Sequence, residues 1–140
     1  MKYVLDSSVA FKWVVTEALS DKAQAVRDDY RNNLHELLSP DIFPIEIAHA
    51  LTRAERQGRL TAPQSGVLLA DVLNTAPKLF PSLPLLRRAV EISSQLRIGV
   101  YDCLYIALAE QEGSELLTAD GRLASLKPTF PFITELSSLP

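Results

Sequence analysis

A chain of 140 residues suits one domain, and 47% apolar with 22% charged residues exclude a disordered or fibrous protein. The net charge of −3 gives no basic footprint of the kind most nucleic-acid binders carry, although acids gathered in a metal site would contribute to that balance. No stretch approaches the ~20 apolar residues of a membrane span, and the lone Cys103 cannot close an internal disulfide and reads as a buried small hydrophobe. A soluble, unexported protein of a reducing cytoplasm is expected.

Along the chain, Tyr3-Val4-Leu5 is a short apolar run ended by Asp6-Ser7-Ser8, residue types that cap helices, so a buried strand should turn into a helix from about Val9 to Val15. A second amphipathic pattern takes in Ala23, Val26, Tyr30 and Leu34. Leu37 to Pro40 reads as a strand or turn. Pro44 then stands near the start of a helix that has Glu46 in its first turn and closes at Gly58. Thr61-Ala62-Pro63-Gln64 has the spacing of a capping box, opening a helix that Pro77 must stop.

Leu79-Phe80 is a brief strand candidate, and Leu85 to Leu96 form a helix with Gly99 after its end. Asp102 precedes the block Cys103 to Ala109, which is apolar on every side and therefore predicts a buried helix. Glu115 to Thr118 reads as a strand broken by Ala119-Asp120-Gly121, followed by a helical turn at Arg122 to Leu126 and a last strand at Phe132-Ile133. Strands alternating with helices over residues 1–140 predict a single α/β domain of three layers, α/β/α, around a mainly parallel sheet. Ligands in such sheets bind beyond the carboxyl ends of the strands.

Four acids have a route to that edge: Asp6 after the first strand, Glu46 and Asp102 at helix starts, and Asp120 after the strand Leu116 to Thr118. Each alone also fits an ordinary role as a helix cap, a turn residue or a first-turn acid. Together they sit beside apolar segments, and no basic residue adjoins Asp6 or Asp102 to neutralise it. Clustered carboxylates and hydroxyls suit Mg²⁺ or Mn²⁺ and argue against zinc, since His35 and His49 lack ligand spacing to a cysteine. Such ions activate water and stabilise charge on phosphate, so phosphodiester hydrolysis is the expected chemistry. Ser8 and Thr118 supply hydroxyls that could orient Asp6, Asp120 or the attacking water, with helix capping an equal alternative for Ser8.

The strings VLDSSVAFKW, IEIAHAL, YDCLYIALAE and LLTADGRLA resemble, in order, the acidic motifs of PIN-domain nucleases, and the third of these most resembles the VapC toxins of toxin–antitoxin pairs. The resemblance implies an endoribonuclease that depends on Mg²⁺ or Mn²⁺, is commonly dimeric and is inhibited by a cognate VapB-like antitoxin. It carries the metal-site acids over to Asp6, Glu46, Asp102 and Asp120, with Ser8 and Thr118 as supporting hydroxyls. Gly121 departs from the more frequent basic or polar residue at its position. A nuclease acting on DNA and a non-catalytic PIN-like interaction module remain as alternatives. A phospho-acceptor receiver domain does not fit, because it needs an acidic pair after its first strand and here Asp6 is followed by Ser7-Ser8.

Further residues have two readings. Arg97 could meet a substrate phosphate or simply suit a helix C-terminus, and Arg53/Arg56 with Arg87/Arg88 could form a basic rim or solvated helix faces. Phe11, Trp13 and Tyr105 could stack on bases or pack in the core.

Overall fold

The computed structural model describes all 140 residues, with a five-stranded sheet in the order β3-β2-β1-β4-β5. Strand β1 (Lys2–Leu5) lies between β2 (Glu36–Pro40) and β4 (Glu115–Thr118), while β3 (Lys78–Phe80) and β5 (Ile133–Glu135) form the edges. Every pairing is parallel, so the expected mainly parallel sheet is parallel throughout. The chain winds outward from β1 through β2 to β3, then returns to the other side of β1 for β4. That reversal opens a crevice at the carboxyl ends of β1 and β4.

Successive side chains of each strand point to opposite faces and feed two separate cores. Tyr3, Leu5, Leu37 and Leu117 pack with α1 (Ser7–Val14), α2 (Ser20–Arg31), α3 (Phe43–Arg56) and α4 (Ala62–Asn74). Val4, Leu38, Leu116 and Ile133 pack instead with α5 (Leu86–Leu96), α6 (Val100–Glu112) and α7 (Gly121–Ala124). Burial on both faces explains why the central strands read as continuous apolar runs rather than alternating ones. Helix α6 is the most enclosed: Cys103 to Ala109 are all buried. The capping box forms, with the Thr61 hydroxyl accepting from the Gln64 N–H at 3.3 Å and the Gln64 side chain accepting from the Thr61 N–H at 2.7 Å.

Two local expectations are corrected. Helix α2 stops at Arg31, and Leu34, assigned to its apolar stripe, lies beyond it and is 63% exposed. The chain leaves the helix through Asn33, whose φ of +60° breaks the period. Helix α6 begins at Val100 with Gly99 as its N-cap, so Asp102 lies inside the first turn and is not a capping residue. Gly99 does follow α5, but the left-handed residue that ends that helix is Arg97, at φ +59°.

Candidate active site

The crevice is a cavity of about 900 Å³ whose lining includes Asp6, Glu46, Asp102 and Asp120. Four elements deliver them. Asp6 directly follows β1, Asp120 follows β4 by two residues, Glu46 lies in the first turn of the helix after β2, and Asp102 lies in the first turn of the helix before β4. In a parallel sheet the carboxyl ends of strands and the starts of the helices they lead into share one edge, and a helix running back toward β4 begins there too.

Asp6 is the most enclosed of the four, 5% exposed. It occupies the N-cap position of α1, yet its carboxylate makes no capping bond. Its Oδ2 instead accepts from the Ser8 hydroxyl at 2.5 Å and the Thr118 hydroxyl at 2.8 Å. Those hydroxyls are themselves fixed: Ser8 Oγ accepts from the Ala119 N–H and Thr118 Oγ1 from the Asp120 N–H, each at 3.0 Å. The backbone completes the seam where the Asp6 N–H donates to the Leu117 carbonyl at 3.0 Å. Glu46 Oε1 accepts from the phenol of Tyr105 at 2.6 Å, and Asp120 accepts from the Arg122 N–H at 2.9 Å as the N-cap of α7.

Burial pushes the Asp6 carboxyl up to about 7; the Ser8 and Thr118 hydrogen bonds pull it down, and the charges of Glu46 and Asp102 add to the rise. Glu46 is raised by burial and by Asp102 despite the bond from Tyr105. Asp102 is raised by burial and by Asp120, with Arg122 opposing. The acids therefore feel one another. No three His, Cys, Asp or Glu side chains converge closely enough here to share one ion. Asp6, Glu46 and Asp120 instead accept from hydroxyl and N–H donors of their own chain. An all-oxygen donor set whose ionisation is opposed by burial and mutual repulsion fits a hard divalent cation.

Above this acidic floor the cavity is lined by Arg53, Arg59 and Arg122. Arg53 belongs to the pair singled out from the sequence; Arg59 and Arg122 were missed. Arg122 stands one position beyond Gly121, where a basic residue was noted as missing. Arg97 does not line the cavity, and Arg88 is occupied by Glu110 at 2.8 Å and Glu91 at 3.4 Å. Of the aromatic candidates, Trp13 is buried with its indole N–H on the Ala23 carbonyl, and Tyr105 is buried against Glu46. Phe11 does reach the cavity, as does Tyr101, 61% exposed and not singled out beforehand. The thiol of Cys103 is buried and pushed up to about 11 by that burial and by Asp102, which leaves it a packing group.

The PIN domain sequence profile matches residues 3–127. The chain is 30% identical over 130 residues to Ribonuclease VapC3 of Pyrobaculum aerophilum, covering 91% of this chain and 96% of that one. It is 34% identical over 126 residues to Ribonuclease VapC1 of Mycobacterium tuberculosis, covering 86% and 91%. Two solved structures share the fold. A Pyrobaculum aerophilum protein superposes with a TM-score of 0.72 at 24% identity, over 99% of this chain and 85% of its own. VapBC2 of Rickettsia felis, solved with a DNA fragment from its promoter, gives 0.67 at 14% identity, over 96% and 98%.

Proposed function

This chain belongs to the PIN-domain family, and on that premise we propose that it is a VapC-type toxin endoribonuclease whose Asp6, Glu46, Asp102 and Asp120 hold Mg²⁺ or Mn²⁺. The observation that carries the proposal is the meeting of these four acids, distant in sequence, on one cavity. When bound, the ion supplies an acidified water and a countercharge for the attacked phosphate.

The protein's own groups set the geometry. Ser8 and Thr118 hold one oxygen of Asp6, and Tyr105 holds one oxygen of Glu46, without neutralising either acid. The arginine rim, Arg53, Arg59 and Arg122, supplies charge to draw the polyanionic backbone over an acid floor that would otherwise repel it. Arg97 stands outside the cavity lining, so any contact it makes with RNA falls beyond the rim.

A cytoplasmic protein paired with a VapB-like antitoxin, and itself a homodimer, completes the reading. The VapC relatives and the VapBC2 fold match support the antitoxin, and no helix is long and apolar enough to cross a membrane. Purified protein should cut RNA with Mg²⁺ or Mn²⁺ and stop when EDTA is added. Cutting that continues in EDTA, after contaminating nucleases are excluded, defeats the metal-dependent mechanism. Sedimentation at tens of micromolar should return a dimer.

A further inference from the structure

Among the cations at the cavity mouth, Arg59 is built in differently from the others. It follows α3, and its backbone N–H is bonded to the Ala54 carbonyl at 2.9 Å. Its Nη2 donates to Glu17 Oε2 at 2.9 Å, and its guanidinium carbon stands 5.9 Å from the centroid of the Phe11 ring, at the outer limit of a cation–π contact. Glu17 is anchored in turn, with Lys12 Nζ on its other oxygen at 3.2 Å and its N–H donated to Ser20 Oγ at 2.9 Å. Arg122, by contrast, approaches Asp120 only at 3.7 Å with a side chain 87% exposed, and Arg53 makes no side-chain hydrogen bond or ion pair.

A guanidinium has five donor hydrogens in a fixed fork. Glu17 takes one nitrogen of Arg59 and the Phe11 ring stands beside its guanidinium, while the side chain still lines the cavity. Burial raises the Glu17 carboxyl, but the bonds from Arg59 and then Lys12 outweigh it and hold it below its usual range, so the brace stays charged. The fork stands apart from the acids in its bonding: its ion pair is with Glu17 at 2.9 Å, and it bonds to none of the four.

We propose that Arg59, braced by Glu17 and Phe11, binds a backbone phosphate of the RNA strand next to the one being cut. Planar bidentate recognition of phosphate is what a pre-oriented arginine does better than a lysine. Bracing lowers the conformational freedom lost on binding, because the side chain is already held. Arg59 thus registers the strand over the acid floor, and it reads phosphate rather than base.

The inference rests on the ribonuclease reading, and its test separates the two. Binding of a fluorescent single-stranded oligoribonucleotide is measured in EDTA across a salt series, with cleavage kinetics measured separately in Mg²⁺. Arg59→Ala should raise Kd and KM about tenfold with kcat little changed, and should lower the slope of log K against log salt by about 0.7, the value for one phosphate on a single strand. Arg59→Gln, which keeps a donor for Glu17 but drops the charge, should lose the same slope while melting close to wild type. The control is Arg56→Ala, the same charge change at an exposed residue outside the cavity lining, which should shift Kd less than about twofold. Equal losses in the Arg56 and Arg59 variants, or an unchanged slope in Arg59→Gln, overturn the phosphate contact and leave the nuclease standing. Wild type that neither binds nor cuts RNA removes both.

Discussion

The floor and the rim of the cavity handle charge in opposite ways. On the floor, Asp6, Glu46 and Asp102 make no ion pair, and the bonds to Asp6 and Glu46 come from the uncharged hydroxyls of Ser8, Thr118 and Tyr105. On the rim, Arg53, Arg59 and Arg122 stand toward solvent, and only Arg122 touches a floor acid. Had one of these arginines folded down onto Asp6, the buried acid would have been neutralised from within. The protein orients Asp6 and Glu46 with hydroxyls rather than cations, and so leaves their countercharge to be brought from outside.

The contrast breaks most decisively at Asp102. Asp102→Asn keeps the shape of the side chain and removes one charge from the floor. Cleavage should fall below detection, while the metal-free protein melts at the same temperature or higher. Wild type should gain stability from Mg²⁺ through binding linkage, and the variant distinctly less. A variant that still cuts RNA and responds to Mg²⁺ like wild type would reduce Asp102 to a structural helix residue.

A smaller effect should appear with pH. In the metal-free protein the Asp6 carboxyl is raised from 3.8 to about 7, so the native state holds this proton more tightly than the unfolded chain. Its contribution to stability is full below about pH 4, is lost as pH rises through 7 and stays lost above. Glu46 and Asp102, also raised, act in the same sense, whereas Glu17, lowered, acts against it. Asp6→Asn removes the Asp6 part. Urea midpoints in EDTA should show wild type losing ground to the variant between pH 4 and 7, by on the order of 4 kcal/mol at 1.36 kcal/mol per unit. A constant difference across that range would mean that Asp6 is not penalised by its surroundings.

The finest test addresses the hydroxyls. Tyr105→Phe keeps the buried ring and deletes the donor to Glu46. Loss of a partner that orients a metal ligand typically costs 10- to 100-fold in metal affinity or activity, so the apparent Mg²⁺ requirement should rise by about that factor. Titration calorimetry with Mn²⁺ in the absence of RNA gives a reading independent of cleavage. If affinity holds while only the melting temperature drops, the phenol serves packing alone.

Much of this was legible in the sequence because the site acids sit at punctuation marks. Asp6 and Asp120 end apolar runs and Glu46 follows a helix-opening proline, so their positions along a parallel sheet fix the edge they share. Less was legible where partners come from far away. The brace on Arg59 joins residues 42 positions apart, and neither Phe11 nor Glu17 carries a local signal that an arginine will settle there. Tyr101 was passed over because one exposed ring beside an acid has no periodicity. Asp102 was placed at the helix start because aspartate favours N-caps, but Gly99 already provides the extended backbone that a cap needs. Leu34 extended an apolar period that the left-handed Asn33 interrupts.

The bond from Thr118 to Asp6 spans 112 positions, and it sets a clock on synthesis. At 5 to 20 residues per second, roughly 6 to 22 s separate translation of Asp6 from that of Thr118. Until then β1 lacks one of its two neighbours, the last acid does not exist and the first has half its hydroxyl support. Until Asp120 is made, a chain growing on the ribosome, surrounded by RNA, carries only three of the four acids proposed to hold the ion, and the order of strands in the sheet makes completion of that site wait for β4.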